Sequence, residues 1–228
     1  MVFSRGDARK IVAVLRKKSG DFVQVVDSAA SAFRAVLNIK RHAVSARLAE
    51  LIAEPLVKPT VQVTVAQGVP KGSKMDFIIE KLTELGVISI VPFYSERSVV
   101  GDVGNTRVER WRRIARSAAA QCGRRDIPSI SEPLQWETLL ESFAGYDAIV
   151  FPWELAARIP MALQLPGMLQ GAKLLLIVIG PEGGFSHGEV AQAEQRGART
   201  ISLGPRILRT ETAALALCSV VNYLTGTY

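Results

Sequence analysis

The spacing of apolar and polar residues before residue 60 is that of a small β domain. Ile11–Leu15, Phe22–Val26 and Phe33–Ile39 are short apolar or alternating runs, separated by polar turn residues. Each run predicts a strand, because such alternation fits a sheet with one buried face. Pro55 and Pro59 then interrupt the pattern, which predicts a linker and a domain boundary between residues 58 and 59.

Beyond that boundary the spacing changes to an alternation of strands and helices. Lys74–Leu85 carries apolar residues three and four positions apart, which predicts a helix, and Gly86 is its expected C-cap. Leu174–Gly180 is apolar at nearly every position, which is typical of a parallel strand buried on both faces.

The remaining elements of this second region follow the same alternation. Two further helices are predicted over Arg107–Cys122 and Glu211–Leu224. A third is predicted to begin at a capping box formed by Ser186 and Glu189 and to end at Gly197. Further strands are predicted over Val61–Ala66, Ile88–Phe93, Ala148–Phe151 and Thr200–Leu203. Alternation of this kind predicts an α/β domain with a mainly parallel sheet.

Composition excludes several classes of protein. Of 228 residues, 48% are apolar and 21% charged, which is typical of a folded globular chain. No apolar run approaches the ~18 residues that a membrane-spanning helix needs, and the first residues do not form a signal peptide. The two cysteines and two histidines do not form a metal or disulfide pattern. We therefore expect a cytoplasmic, reduced protein without a metal and without a membrane segment.

The net charge of +7 is unevenly distributed along the chain. Residues 1–60 carry +6, residues 61–130 carry +4 and residues 131–228 carry −3. A basic first half suggests a polyanionic partner, for which nucleic acid is the natural candidate. The alternative is a charge excess that only keeps the protein in solution. We expect phosphate contacts from basic residues in both regions, namely Arg16, Lys17, Lys18, Arg112, Arg113, Arg116 and Arg125.

Two loops that follow predicted strands are candidates for a binding site. Gly180–Phe185 contains three glycines and a proline, and Leu203–Thr212 leads into the last helix. Ligands of open α/β sheets bind beyond the carboxyl ends of the strands, where such loops lie. Each loop alone is more simply an ordinary turn, but two in adjacent units favour a shared site. Neither the dinucleotide-binding glycine pattern nor a phosphate-binding loop is present.

Several segments are similar, in chain order, to the signatures of one known family. They are Gln67–Gly72, Ile79–Val87, Glu96–Ser98, Gln121–Arg124 with Pro128, Gly180–Phe185 and Ser202–Leu215. Together they resemble the SPOUT-class methyltransferases that modify N3 of a uridine in 16S ribosomal RNA, the RsmE family. The matching segments extend over residues 10–228, and no single motif carries the resemblance.

The resemblance implies a two-domain architecture. A PUA-like β-barrel domain that binds RNA would occupy residues 1–58. An α/β catalytic domain with a deep trefoil knot would occupy residues 59–228. The family usually begins with a further strand, so we expect a shortened first domain. The catalytic domain would form a homodimer through the knot, hold S-adenosylmethionine (SAM) there and act on 16S rRNA of the small ribosomal subunit.

The resemblance also implies the residues of the site. SAM would be bound by Gly180, Glu182, Gly183, Gly184, Leu203, Gly204, Ile207, Leu208 and Thr210. The catalytic candidates are Arg209, Glu211 and Arg124. We hypothesise that Arg209 stabilises the uracil anion formed when N3 loses its proton, and that Glu211 orients Arg209 or accepts that proton. Arg124 would approach the RNA from a neighbouring helix.

Two other functions remain open at this point. The chain can be a non-catalytic RNA-binding or ribosome-assembly factor that keeps the same fold. It can also be a SPOUT methyltransferase with a different RNA target. A nucleotide-using enzyme of ordinary doubly wound fold is disfavoured, because its phosphate-binding loops are missing.

Overall fold

A computed structural model describes residues 1–27, 29–40, 43–52, 59–101 and 103–226. The chain forms two compact units, Met1–Val57 and Lys58–Tyr228. The predicted linker around Pro55 lies outside the described residues.

The first unit is built on an antiparallel sheet. A short helix α1 (Arg5–Arg9) precedes the strands β1 (Phe22–Val26), β2 (Ala32–Lys40) and β3 (Ala43–Leu51), which pair in the order β1-β2-β3. The chain start also belongs to this sheet, because Val2 bridges to Ser45 on β3. Its small core contains Ile11, Ala35, Leu37, Val44 and Ala46. The predictions of β1 and β2 are confirmed, whereas β3 was not predicted.

The strand predicted over Ile11–Leu15 is wrong. Lys10–Val14 forms one π-helical turn that directly continues α1. Ile11 is the one residue of this turn that is buried, whereas a half-buried strand buries every second side chain. β-branched residues favour a strand only where a neighbouring strand offers hydrogen bonds and a packed surface. Residues 10–14 continue a helix, and among the described residues no neighbouring strand pairs with them.

The second unit alternates strands and helices as predicted. Its strands are β4 (Gln62–Gly68), β5 (Ser89–Tyr94), β6 (Ser129–Ile130), β7 (Leu134–Gln135), β8 (Ala148–Pro152), β9 (Leu174–Ile179) and β10 (Arg199–Ile201). Its α-helices are α2 (Lys74–Glu84), α3 (Asn105–Cys122), α4 (Trp136–Ser142), α5 (Met161–Leu169), α6 (His187–Gln195) and α7 (Thr210–Leu224). A 3₁₀ turn at Phe143–Gly145 follows α4.

All pairs of neighbouring strands in this unit are parallel. The order is β10-β8-β9-β4-β5-β6, and β7 also pairs with β5. The predicted α/β fold with a mainly parallel sheet is therefore confirmed. Because the strands run in one direction, the loops that leave their carboxyl ends all lie along one edge of the sheet.

The apolar strand β9 lies in the middle of the sheet and separates two cores. Leu175, Ile177 and Ile179 belong to the core packed by α2, α3, α5 and α7. Leu176 and Val178 point to the opposite face, into the core packed by α4 and α6. Covering both faces excludes water from the strand, which explains why it is apolar at successive positions. The unit is thus a three-layer α/β/α sandwich.

The connection from β10 to α7 crosses the carboxyl edge of the sheet. β10 is an edge strand next to β8, yet Thr210 at the start of α7 is bonded to Gln67 on β4 and to the Gly180 carbonyl after β9. Neighbouring strands are ~4.8 Å apart, so residues 202–209 carry the chain over roughly 14 Å. This crossing brings loops from three parts of the sequence together.

The helix predictions of the second unit are confirmed, with two helices in addition. The capping box is present, because Ser186 accepts from the Glu189 backbone and Glu189 accepts from the Ser186 backbone. Gly86 follows α2 with a positive φ of 84°. Neither α4 nor α5 was predicted: α4 is only seven residues long, and Pro166 interrupts the pattern of α5. None of the helices in the described parts of the chain is long and apolar enough to cross a membrane.

Candidate functional site

A buried chain of hydrogen bonds joins three segments at the carboxyl edge of the sheet. The Gln67 amide Nε2 donates to the Gly68 carbonyl at 3.0 Å and to the Thr210 hydroxyl at 2.8 Å. The Thr210 hydroxyl in turn donates to the Gly180 carbonyl at 2.6 Å. Gln67 is a polar residue without exposed surface, and its preceding neighbours on β4, Val65 and Ala66, are apolar. The ends of β4 and β9 and the start of α7 are thereby held in one arrangement.

Glycines allow the loops at this edge to pack directly on each other. A Cβ at Gly68 would lie 2.5 Å from the Pro181 nitrogen, and one at Gly180 would lie 2.9 Å from the Phe185 ring. Non-bonded carbon atoms in proteins do not approach other heavy atoms so closely. Both positions therefore require glycine, because the neighbouring atoms leave no room for a Cβ. The sequence suggested that the glycines of the Gly180–Phe185 loop let a ligand approach the backbone. The structure shows that Gly68 lets the segment after β4 approach the loop after β9, and that Gly180 lets this loop pack against its own Phe185 ring.

The next two glycines of the loop are also in contact with neighbouring segments. A Cβ at Gly183 would lie 2.9 Å from the Cβ of Arg97, whose Nη1 donates to the Gly183 carbonyl at 3.3 Å. Gly184 has a φ of 66°, and a Cβ there would lie 3.1 Å from a carboxylate oxygen of Glu154. The loop is therefore fixed by the segments that follow β5 and β8.

Glu182 connects the Gly180–Phe185 loop to the segment after β4. Its carboxylate accepts from Lys74 Nζ at 2.7 Å and from the Lys71 backbone at 3.2 Å. Partial burial alone would raise the pKa of Glu182, but the hydrogen bonds from Lys74 and from backbone groups lower it below its ordinary value. Glu182 is thus ionised at neutral pH and holds a loop in place.

The loop before α7 is the open part of the site. Gly204 has a φ of 107°, and its vacant side meets no atom within 4 Å. The backbone N–H groups of residues 206–208 donate to no group in the described parts of the chain. Leu203 and Leu208 pack against the core, whereas Ile207 is 88% exposed. Unpaired peptide groups beside a glycine are available to a ligand.

The two catalytic candidates near α7 flank Thr210. Arg209 is the N-cap residue of α7, and its side chain is exposed. Glu211 lies in the first turn, where its Oε2 is buried and has no hydrogen-bond partner among the described residues. A buried carboxylate oxygen without a partner is costly, so this atom is poised to accept a hydrogen bond from an incoming group.

Arg124 is not brought together with these residues. Its Nη1 donates to the carbonyls of Thr83 at 2.8 Å and Val87 at 2.9 Å, which lie at the opposite, amino-terminal edge of the sheet. Its guanidinium also pairs with Asp126, and the side chain is only 13% exposed. Burial alone would raise the pKa of Asp126, but Arg124 lowers it. In this chain Arg124 fixes the end of α2 and does not face the candidate catalytic residues.

The predicted RNA-binding residues differ in how free their charges are. On α3, Arg112 contacts Glu109 at 2.6 Å and Glu132 at 3.0 Å, so its charge is largely compensated. Arg113 and Arg116 are exposed and form no ion pair within the described parts of the chain. Arg125 is partly exposed beyond the end of α3. In the first unit, Arg16, Lys17 and Lys18 lie in the segment between the π-helical turn and β1, where Arg16 and Lys18 are exposed and Lys17 is partly exposed.

Sequence reasoning gave no role to several residues that build this site. Gln67 is the clearest case, and its signals were a polar side chain directly after the apolar Val65 and Ala66 and its place at the start of the family-like segment Gln67–Gly72. Lys74 and Arg97 are bonded to the loop at Gly180–Phe185 from other segments, and Glu154 lies beside Gly184. Arg97 lies in the family-like segment Glu96–Ser98, whereas nothing in the local sequence of Lys74 or Glu154 distinguishes them from ordinary surface charges.

Comparison with known proteins gives consistent results at the level of sequence. Residues 57–222 match a family model described as an RNA methyltransferase domain. The chain is 34% identical to the Ribosomal RNA small subunit methyltransferase E of Bacillus subtilis, over 96% of this chain and 88% of that protein. It is also 34% identical to the protein of the same name from Synechocystis, over 92% of this chain and 69% of that protein.

Solved structures agree with these similarities. A ribosomal RNA small subunit methyltransferase E from Neisseria gonorrhoeae, bound to S-adenosyl methionine, matches with a TM-score of 0.86 and 27% identity. The match covers 98% of this chain and 91% of that one. A putative methyltransferase from Legionella pneumophila, in complex with SAM, matches with a TM-score of 0.81 and 27% identity, over the same shares of the two chains.

The close contact at Gly68 leads to a stability prediction. Gly68→Ala forces its new methyl group against Pro181 and displaces the loop after β9, which we expect to cost about 3 kcal/mol or more of unfolding free energy. Urea unfolding measures this loss. Gly101→Ala is the matched control, because a Cβ there meets nothing within 4 Å. Its unfolding free energy should change by less than about 0.5 kcal/mol. Equal stability of the two variants would contradict the packing described here.

Proposed function

Because the chain belongs to the RNA methyltransferase family of ribosomal RNA small subunit methyltransferase E, we propose that it is a SAM-dependent rRNA methyltransferase. Its substrate is 16S rRNA of the small ribosomal subunit, and the methyl group goes to N3 of one uridine. The observation that carries the proposal is the set of loops joined at Gln67, Thr210 and Gly180, with open peptide groups beside Gly204. We propose that it acts in the cytoplasm.

The residues at this edge fit SAM. The unpaired N–H groups of residues 206–208 suit the acceptor atoms of an adenine or a ribose, and the vacant side of Gly204 leaves space for a ring. The unpartnered Oε2 of Glu211 suits a donor group or a positive charge. Gly180, Glu182, Gly183 and Gly184 contribute mainly by fixing the loop against its neighbours. Leu203, Ile207 and Leu208 supply apolar contact.

The chain's own residues act on the uridine by orientation and electrostatics. SAM, when bound, would supply an already activated methyl group, so the chain's residues need only orient the uridine and stabilise charge as the methyl group passes from sulfur to N3. N3 must lose its proton, which leaves negative charge on the uracil oxygens. Arg209, exposed at the N-cap of α7, stabilises that charge, and Glu211 orients Arg209 or accepts the proton.

RNA binding is assigned to the basic surfaces of both units. Arg113 and Arg116 are the most available charges of α3, and Arg16, Lys17 and Lys18 are those of the first unit. Arg112 and Arg125 contribute beside them. We propose a PUA-like fold for the first unit, which the antiparallel sheet β1-β2-β3 supports.

The crossing of residues 202–209 over the sheet edge supports a trefoil knot in the second unit. Ordinary connections in parallel sheets do not cross or thread one another, so this path is exceptional. Exposed apolar residues at both ends of α7, Ile207 and Tyr223, support a homodimer through the same region. Burying such residues against a second copy removes their apolar surface from water.

The reaction can be tested on unmodified small ribosomal subunits with isotope-labelled SAM, followed by nucleoside mass spectrometry. We expect labelled N3-methyluridine from the wild-type chain. Arg209→Ala should lower the rate by about 100-fold or more, because one preorganised charge is removed from the developing anion. SAM affinity, measured by equilibrium dialysis, should change little.

The same experiment separates the alternatives. A different methylated nucleoside would indicate another RNA target. RNA binding without SAM uptake would favour the non-catalytic assembly factor. Wild-type activity in Arg209→Ala would show that this arginine does not stabilise the reacting uracil. Arg158→Ala serves as a control, because it removes an exposed arginine from the loop that follows β8.

Salt dependence tests the RNA surface on α3. Replacing Arg113 and Arg116 with Gln should flatten the dependence of log affinity on log salt, by roughly 0.7 for each phosphate of single-stranded RNA that the protein no longer neutralises. Fluorescence anisotropy over a salt series measures the slope. Arg158→Gln should leave the slope unchanged. An unaltered slope in the double variant would mean that α3 only presents a solvated face.

The proposed homodimer gives a mass prediction. Light scattering should report twice the 24.7 kDa mass of the chain. Tyr223→Glu places a charge at the end of α7, where the side chain is 77% exposed in the single chain, and should shift the protein to the monomer. Phe77→Glu, at another exposed apolar position on α2, should stay dimeric. A wild-type mass of one chain would contradict the dimer.

A further inference from the structure

We propose that Gln67 is a positioning residue for methyl transfer, acting through Thr210 on the first turn of α7. The inference rests on the proposed function, because the groups it positions are those assigned to the reaction. Gln67 lies on β4, whereas Thr210 and Gly180 belong to the two loops of the candidate site. One buried amide thus connects the sheet to both loops.

The directions of the hydrogen bonds leave this network one arrangement. The Gly180 carbonyl can only accept, so the Thr210 hydroxyl must donate its single proton there. Thr210 can then only accept from Gln67, which requires the amide nitrogen and not the amide oxygen. The same nitrogen also donates to the Gly68 carbonyl, which fits this orientation. Both the amide orientation of Gln67 and the rotamer of Thr210 are therefore fixed.

The position of Thr210 explains how a residue without exposed surface affects the reaction. Arg209 and Glu211 are its immediate neighbours in the chain, so any shift of Thr210 moves both catalytic candidates. The Gly180 carbonyl is held by the same hydroxyl, so the glycine loop shifts with it. A displacement of about 1 Å at reacting groups can lower a rate by about 100-fold.

Gln67 is poorly explained as a residue that only stabilises the fold. Its Oε1 is buried and has no partner among the described residues, so part of the amide is desolvated without compensation. An apolar side chain of similar shape avoids that cost and fills the same space. What such a side chain lacks is the pair of N–H donors that orient Thr210 and the Gly68 carbonyl.

This leads to a test in which activity and stability change differently. Gln67→Met keeps the shape and removes the donors, so we expect kcat to fall about 10- to 100-fold. The thermal unfolding midpoint should move by less than about 4 °C. Thr210→Val should lower kcat similarly, whereas Thr210→Ser, which keeps the hydroxyl, should restore most of it. The double variant Gln67→Met/Thr210→Val should be little worse than either single variant, because both changes remove one network.

Thr83→Val provides the matched control. Thr83 is a fully buried threonine on α2 whose hydroxyl donates to the Ile79 carbonyl at 2.7 Å. Losing that bond should lower the unfolding midpoint and leave kcat unchanged. The assay is the formation of labelled N3-methyluridine in small ribosomal subunits, with kcat and the KM for SAM measured separately.

The possible results separate this inference from the proposed function. A wild-type chain that methylates nothing would overturn both. An active wild type with kcat retained in Gln67→Met would overturn the role of Gln67 alone. A fall in kcat that follows the fall in unfolding midpoint across all variants, Thr83→Val included, would show a purely structural role and also overturn it. A fall in kcat at preserved stability, with rescue by Thr210→Ser, is the result we expect.

Discussion

The close approach of β4 and β9 at their carboxyl ends is the constraint that shapes the whole site. Gly68 and Pro181 lie so close that no side chain fits between them. Because of this approach, Gln67 can reach Thr210, and Glu182 can reach Lys74. A bulkier residue at Gly68 would displace the loop after β9 and disturb both connections. The packing of these two backbones thus brings both polar connections within reach.

Such rigidity suits the chemistry proposed for the site. An activated methyl donor needs little covalent help from the protein, so rate enhancement comes mainly from orientation and from charges fixed in advance. Backbone groups on packed loops are well suited to this task, because they lose little freedom when a ligand binds. The glycines of the loop after β9 contribute by allowing dense packing, and the loop at Gly204 keeps its peptide groups available.

Charges are arranged in two ways in this chain. Arg124 and Glu182 are held by partners of opposite charge and by backbone groups, so they stabilise the fold, and the charge of Arg112 is largely compensated by Glu109 and Glu132. Arg113 and Arg116 remain exposed, and the basic segment Arg16–Lys18 is largely exposed, as a surface for phosphates requires. The total charge does not distinguish these two uses. Only the partners of each side chain do.

Local sequence patterns were enough to predict most of the secondary structure of the second unit and the loops in which to look for a site. Periodicity is a local property: the three-and-four spacing of α2, the continuous apolar run of β9 and the capping box at Ser186 each lie within a short window. The resemblance to one family then added the cofactor and the reaction. Local reasoning failed at Ile11–Leu15, where a strand-like composition met no strand to pair with.

The folded domain decides which residues come into contact. Gln67 and Thr210 are separated by 143 positions in the chain, and no local pattern relates them. Spacing along the chain fixes which face of an element is apolar, because that depends on neighbours a few residues away. Contacts between loops depend on strand order and on the path across the sheet edge, which exist only once the whole domain has folded.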